Sequence, residues 1–284
     1  MEILRVLAAE VIPIAVLSGF VFYERWRRKK RRERPPIQEK LLRSPGYSLS
    51  RKIEDLNEAI MTLLVAIVTS ALCFAFVLTR PNPNNAVLDY PMLAILALTA
   101  AICTVMVLRK ARTLGKFRFG LLGEQFMAEQ LQTLTEYRIF HDIPGDGKWN
   151  VDHVAVGPAG VFAIETKCRS KKASLNELRE QDAVFDGGVI RFPWCEDRKV
   201  ADQARRNAKW LAGMLIKATG ERVNAQPIIA LPGWWVTLKA NSDVKVLSGK
   251  NVPGYIASQP STLSPKAIQQ IAYQLEQRCR DVEF

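Results

Sequence analysis

Apolar and polar positions divide the chain into two unlike parts near Gly120. In the first part the apolar residues come in long unbroken runs. Ala59 to Thr79 carries no charged side chain, and at about 1.5 Å of rise per residue such a run crosses roughly 30 Å of hydrocarbon as a helix. Pro91 to Leu108 is a second, shorter run, joined to the first by Arg80-Pro81-Asn82-Pro83-Asn84-Asn85, a turn-rich link too short for a domain. Ile3 to Tyr23 is a third span candidate, weakened by Arg5 and Glu10. Arg5 is near enough to the end to reach the interface, whereas Glu10 needs a partner or a wet site.

In the second part the periods are short. Gly120 to Leu134 reads as a helix, with Phe126, Met127, Leu131 and Leu134 on one stripe. Tyr137 to Ile143, Val151 to Val156 and Val161 to Lys167 read as strands, the last two joined by Gly157-Pro158-Ala159-Gly160, a hairpin signal. Val200 to Lys217 has helical periodicity through Ala204, Ala208, Leu211 and Leu215, and Gln226 to Leu231 is a further strand. Ser264 to Val282 reads as a helix with Ser264 as N-cap and Pro265 at its first position. This order of elements predicts an α/β fold with a mixed sheet flanked by helices, preceded by an all-α transmembrane region. The expected division is an anchor at 1–119 with spans at 3–23, 59–79 and 91–108, a domain at 120–256, and a C-terminal helical extension at 257–284.

Charge changes the picture by its placement. The chain has a formal net charge of +12 and a pI near 9.6, a balance that raises the expectation of nucleic-acid binding. Residues 1–119 hold 19 Lys and Arg against 9 Asp and Glu, leaving 21 against 19 for the remainder. The excess therefore lies beside the apolar runs, where it reads as a topology signal. The clusters Arg25 to Arg34 and Arg109 to Arg118 flank the spans, and the link between spans two and three has only Arg80. Positive-inside logic puts the N-terminus outside, residues 24–57 inside and everything after Arg109 inside. The protein is expected in the inner (cytoplasmic) membrane as a multi-pass protein, its C-terminal domain cytoplasmic. A cleaved signal peptide is the rival reading of 3–23, but that segment lacks a basic leader and ends in a basic run rather than small residues. The basic run at 25–34 reads as a juxtamembrane stop signal in contact with anionic lipid, with a nucleic-acid arm as its alternative.

Several chemistries are disfavoured. The five cysteines make no metal pattern, and with two histidines, His141 and His153, a zinc site of His and Cys ligands is not supported. Gly249-Lys250 has no partner glycine at phosphate-loop spacing.

The hairpin supplies a positive signal. With Pro158-Ala159 at the turn centre, Val156 faces Val161, Val154 faces Ala163 and Asp152 faces Glu165. Directly opposed Cβ atoms lie about 4.5–5.5 Å apart, and like charges there repel unless a cation lies between them. Lys167 is on the same face as Glu165 because strand side chains alternate. Two acids and a lysine can hold Mg²⁺, activate a water and stabilise the charge of a phosphoryl transition state. The competing reading is a salt-bridged, solvated edge, reached if the turn has odd length and the register slips by one. Against it, Val154, Val156, Val161 and Ala163 make the acid-bearing face largely apolar, and Phe162 and Ile164 make the other face apolar.

The set Gly123-Glu124, Asp152-His153, Gly157-Pro158 with Gly160, and Glu165-Thr166-Lys167 resembles the nuclease-related domain family, NERD, itself related to the PD-(D/E)XK nucleases. The resemblance runs to about Ile256. It implies a PD-(D/E)XK-like fold, with Asp152 and Glu165 as metal-binding acids and Lys167 as the catalytic lysine. Glu124 is implied as a supplementary metal ligand, and Gln203 as a glutamine facing the site. A carboxylate favoured by a helix N-terminus is the alternative for Glu124, and a solvated helix position for Gln203. Alternation turns His153 away from Asp152, which reads as a structural role. Lys171, Lys172, Arg205, Arg206 and Lys209 are candidates for phosphate contact or for a solvated face. The expected function is a membrane-anchored nuclease dependent on Mg²⁺ (or Mn²⁺), acting on DNA or RNA. The alternative is an inert nuclease-like scaffold in a membrane assembly such as a DNA-transfer machine. The expected partners are nucleic acid, the lipid bilayer and a membrane protein complex.

Overall fold

The computed structural model describes residues 39–79, 86–147, 149–171 and 182–282, with Gly19, Tyr23, Trp26 and Arg27. The span expected at 3–23, the basic run at 25–34 and the turn at 80–85 lie wholly or largely outside the described residues.

The elements in chain order are β1 (Leu41–Leu42), α1 (Tyr47–Thr79), α2 (Ala86–Leu131), β2 (Arg138–Pro144), β3 (Asn150–Gly157), β4 (Gly160–Thr166), β5 (Asp182–Phe185), β6 (Ile190–Phe192) and β7 (Cys195–Asp197). There follow α3 (Val200–Thr219), β8 (Ala225–Leu231), β9 (Trp235–Leu238), β10 (Lys245–Ser248), α4 (Val252–Ala257), α5 (Pro265–Cys279) and β11 (Arg280–Val282). The chain forms two compact units, one of residues 1–39 and 58–110, the other of residues 40–57 and 111–283.

Among the described residues α1 and α2, whose residues 58–79 and 86–110 lie in the first unit, are two helices long and apolar enough to cross a membrane. Met61, Val65, Val68 and Leu72 on α1, and Ile95, Leu98, Ile102 and Leu108 on α2, are exposed. In water each such side chain forgoes about 1.5–3 kcal/mol of burial free energy.

The second unit is built on a five-stranded sheet of order β10-β8-β4-β3-β2. β10, β8 and β4 run parallel, and β3 and β2 continue antiparallel, so the sheet is mixed as expected. Val154, Val156, Val161 and Ala163 pack with Leu211 and Leu215 of α3 and with Ile271 and Leu275 of α5. Ala155, Phe162 and Ile164 pack with Met127 and Leu131 of α2 and with Val252 and Ile256 around α4. The alternation in β3 and β4 thus serves two apolar layers, and a one-residue slip would place a mismatch in both. A smaller sheet, of order β7-β6-β5-β9, closes a third cluster with Trp234 and the start of α3.

Three expectations change. The helix expected to open at Gly120 is the end of α2, continuous from Ala86, so no break falls at 119. Residues 40–57 belong with the second unit rather than to a separate anchor. The segment 257–284 is not an extension: Ile271, Ala272, Leu275 and Cys279 are core residues. The helix there ends at Cys279 because Arg280–Val282 pairs with Leu41–Leu42. Its start is as expected, with Ser264 Oγ accepting from the Ala267 N–H at 3.3 Å.

Candidate functional site

The hairpin pairs Gly157 with Gly160, Val156 with Val161 and His153 with Ile164. Continuing the register by one residue sets Asp152 opposite Glu165, as the two-residue turn requires. Gly160 has φ 127°, a backbone conformation that glycine adopts without strain. Asp152 is 8% exposed and Glu165 5%. The Asp152 carboxylate reaches across to the neighbouring strand, where Oδ2 accepts from the Thr166 N–H at 2.8 Å.

Glu165 is held by α3. Gln203 Nε2 donates to Oε1 at 2.7 Å and Asn207 Nδ2 to Oε2 at 3.2 Å. The two amides are four residues apart, hence on one helical face. Gln203 therefore turns to Glu165 rather than to solvent, and Asn207, not expected from the sequence, is its companion. A polar residue one turn after Gln203, beside the apolar Ala204 and Ala208, was the available signal.

Glu124 reaches the site through a close approach of α2 to the end of β4. A Cβ on Gly123 would stand 2.7 Å from Cys168 Cβ and 3.5 Å from Thr166 Cγ2, so glycine is what permits the helix to lie this near. Glu124 is buried and its Oε2 has no hydrogen-bond partner. It sits deep within a 46-residue helix, which removes the helix-dipole explanation for its carboxylate.

The acids act on one another. Burial pushes Glu124 up to about 9, with Asp152, Asp142 and Glu165 adding to the rise. Burial likewise raises Asp152 to about 7, against the Thr166 N–H and Lys167, with Asp142 adding to it. Glu165 is held well above the usual carboxylate range by burial and by Asp152, while Lys167 opposes. A cluster that gains so much from a nearby positive charge is suited to a hard cation.

Lys167 brings its ammonium to this group, 3.9 Å from Asp197 Oδ2. Asp197 was not anticipated. Its Oδ1 accepts from the N–H groups of Lys199 and Val200, each at 3.2 Å, and caps the start of α3. Its Oδ2 takes Arg169 Nη2 at 2.6 Å. Burial would raise Asp197, but Lys167, Arg169 and the Lys199 N–H outweigh it and hold it below the ordinary value. One carboxylate thus fixes both the helix that carries Gln203 and the lysine that faces Glu165.

Other expected residues lie elsewhere. His153 is fully buried and faces His141, with Nδ1 atoms 2.8 Å apart, so one ring donates and the other accepts. Burial lowers His141 to about 4 and His153 well below its usual value, a neutral structural pair. Arg205 is committed to Asp202, Asp243 and the Gly187 carbonyl. Lys171 lies over the Trp234 ring at 5.3 Å. Arg206 and Lys209 are on α3, and Lys172 is outside the described residues.

These residues are held by Gly123-Glu124, the hairpin and Glu165-Thr166-Lys167, a stretch that a family model also covers. Residues 119–232 match the model of the nuclease-related domain family. The matched stretch runs from the last turns of α2 to the end of β8. No curated protein matches the chain. A solved structure, SfsA of Pyrococcus furiosus in complex with Ca²⁺, is similar over 58% of this chain and 54% of that one, at 20% identity and a TM-score of 0.20. This chain spans about half of that protein's length, and the likeness is too slight to carry fold or chemistry across.

Carboxylate oxygens are donors of the kind that Mg²⁺ or Mn²⁺ takes. The donor set consists of such oxygens, and the buried, unpartnered Glu124 Oε2 faces the same group of charges. Among the described residues no three His, Cys, Asp or Glu side chains are gathered closely enough to hold an ion by themselves. Mg²⁺ commonly takes one or two carboxylates and fills its remaining positions with water and substrate phosphate oxygens.

Proposed function

We propose that the nuclease-related domain hydrolyses phosphodiester bonds of nucleic acid with Mg²⁺ or Mn²⁺. The observation that carries this reading is the clamp of Gln203 and Asn207 on Glu165, which fixes a buried acid beside Asp152 and Lys167. Asp152 and Glu165 would hold the metal, with Glu124 as a supplementary donor. The ion would activate a water and neutralise charge on the phosphoryl oxygens. Lys167, whose positive charge acts on both acids, would offset negative charge developing on a phosphate bound beside them. Gln203 and Asn207 keep both Glu165 oxygens oriented, and the Thr166 N–H does the same for Asp152. In the reaction water forms a P–O bond, the ester P–O bond breaks, and a phosphate monoester and an alcohol leave.

The same reading places the domain at the inner face of a membrane, through α1 and α2, with further anchoring by residues 3–23. It rests on the exposed apolar faces of α1 and α2 and on the basic residues flanking them. DNA is the favoured substrate, and RNA is retained.

The inert-scaffold reading is favoured by one observation, the absence among the described residues of a ready three-ligand group. The full chain, purified in detergent, separates the two on labelled single- and double-stranded DNA and RNA, with Mg²⁺, Mn²⁺ or EDTA. Metal-dependent cleavage lost in Glu165→Ala and Lys167→Ala supports hydrolysis at this site. Cleavage that persists in both variants rules the site out, and no cleavage of any substrate supports the scaffold. Protease protection of epitope tags in intact cells tests the topology, and a C-terminal tag accessible from outside would overturn it.

A further inference from the structure

Residues 40–48 lead into and include the first two residues of α1, lie outside the matched stretch, and yet are tied to the acid cluster. Leu41 and Leu42 add a short strand to Arg280–Val282. The Arg43 N–H donates to the Cys279 carbonyl at 3.1 Å. The Arg43 guanidinium then spans two carboxylates, donating through Nε to Asp281 at 2.8 Å and through Nη1 to Asp142 Oδ2 at 2.9 Å. Ser48 Oγ donates to the same Asp142 oxygen at 2.7 Å, and Asn150 Nδ2 to the other at 2.6 Å.

Asp142 is fully buried and has φ 50°, unusual for a residue other than glycine. The pairing of His141 with His153 and of Ile143 with Val151 sets it opposite Asp152. Two opposed carboxylates are unfavourable unless one of them is neutralised. Arg43 supplies that charge and, with Ser48, occupies the Asp142 oxygen that would otherwise compete with Asp152 for a cation.

The segment also touches Glu124. Gly46 has φ 70°, and a Cβ there would stand 2.2 Å from Leu121 Cδ1 and 3.6 Å from Glu124 Oε2. Its backbone N–H bears on the Glu124 carboxylate and opposes the rise caused by burial. The positive φ is what favours glycine here.

We infer that residues 40–48 form a strap that positions Glu124 and Asp152 for the metal, with Arg43 as its key positioning residue and Asp281 as the outer anchor. The inference rests on the metal-dependent reading of the site. The catalytic unit is then larger than the matched stretch and includes residues 40–48, ahead of the uncharged run of α1. A fragment beginning near residue 119 lacks the strap and is expected to bind metal weakly even when folded.

The test uses the full chain in lipid nanodiscs, with Mn²⁺ as the probe, and reads hydrogen exchange of backbone amides as well as Mn²⁺ affinity by electron paramagnetic resonance. Mn²⁺ is expected to slow exchange in peptides containing Glu124 and Asp152 and also in peptides covering 40–48. Arg43→Ala is expected to weaken Mn²⁺ binding by roughly 10-fold, within the range for residues that orient metal ligands. Asp281→Ala, which touches none of the site acids and leaves the core intact, is expected to shift affinity in the same direction by a smaller factor. Protection confined to Glu124 and Asp152, with wild-type affinity in Asp281→Ala and in a folded Arg43→Ala, overturns the strap and leaves the nuclease reading standing. No Mn²⁺-dependent protection at Glu124 or Asp152, together with no cleavage by the wild type, overturns the nuclease reading and the strap's role with it.

Discussion

Gln203 donates its side-chain amide to Glu165 Oε1 across 2.7 Å, from a helix to a strand 38 positions earlier in the chain. That bond orients the acid without touching substrate, which makes its removal informative. Gln203→Ala leaves Asn207 as the other amide on Glu165, and activity is expected to fall roughly 10- to 100-fold, the range for residues that orient metal ligands. The loss should appear in metal affinity and in kcat, with KM for nucleic acid little changed. Gln203→Glu puts a fourth acid against Glu165 and should lose more than the alanine variant. Initial rates across a Mn²⁺ titration check both, and equal rates in wild type and Gln203→Ala would show that the amide orients nothing used in catalysis.

Stability and function are opposed at Glu165. The folded chain buries this carboxylate beside Asp152, and both raise its proton affinity. Glu165→Gln removes the repulsion while keeping a polar group within reach of α3. The variant is expected to raise Tm without metal by a few degrees and to abolish cleavage. Differential scanning fluorimetry with and without Mg²⁺ reads this, and a lowered Tm in the metal-free variant would contradict the destabilising role assigned to the acid.

The layered sheet and the hairpin register were legible in the sequence, because Val154, Val156, Val161 and Ala163 alternate with Ala155, Phe162 and Ile164 and a two-residue turn leaves no freedom of register. The opposition of Asp152 and Glu165 was legible for the same reason, whereas Gln203 was singled out only through the family resemblance, and the structure turns its amide to Glu165. Asp197 was not, because its role depends on a three-residue strand of the small sheet that brings it from a turn to the start of α3. Asn207 was hidden among residues that already satisfied a helical stripe. Arg43 and Asp142 are 99 positions apart and joined by a contact that no local period encodes. The continuity of α2 through Gly120 was missed because glycine and a change of composition were read as a boundary, whereas packing against β4 keeps the helix intact.

Gly123 is the point where that packing is tightest. Gly123→Ala would set its new Cβ 2.7 Å from Cys168 Cβ, both on main-chain-bound atoms that cannot swing aside. Displacement of α2 from the end of β4 is expected to cost about 1–3 kcal/mol and to withdraw Glu124 from the site. Cys168→Gly removes the opposing Cβ, so the double variant should recover part of the stability and metal affinity lost in the single one. Chemical denaturation of the four proteins of this cycle measures the coupling, and strictly additive effects would show that the two positions do not meet.

The acids also set a pH dependence whose sign follows from their burial. Asp152 titrates near 7 and Glu124 near 9 in the folded chain, against about 3.9 and 4.3 when unfolded. Between these limits the folded state holds protons that the unfolded state has released, so stability falls as pH rises. Metal-free protein is therefore expected to lose Tm steadily from pH 5 to pH 9. Asp197 and Asp281, both held below the ordinary value, act in the opposite sense, and their contribution disappears only as pH drops through the acid range below about 4. A bound divalent cation requires the deprotonated acids, so Mg²⁺ should bind more tightly as pH rises and release protons when it binds. Added Mg²⁺ is accordingly expected to flatten the decline above pH 7, and Glu124→Gln to remove its portion between 7 and 9. Scanning fluorimetry across this range, with and without Mg²⁺, checks the sign directly. A Tm that rises from pH 5 to 9 without metal would mean that the three acids are already paired with positive charge and have no need of a cation.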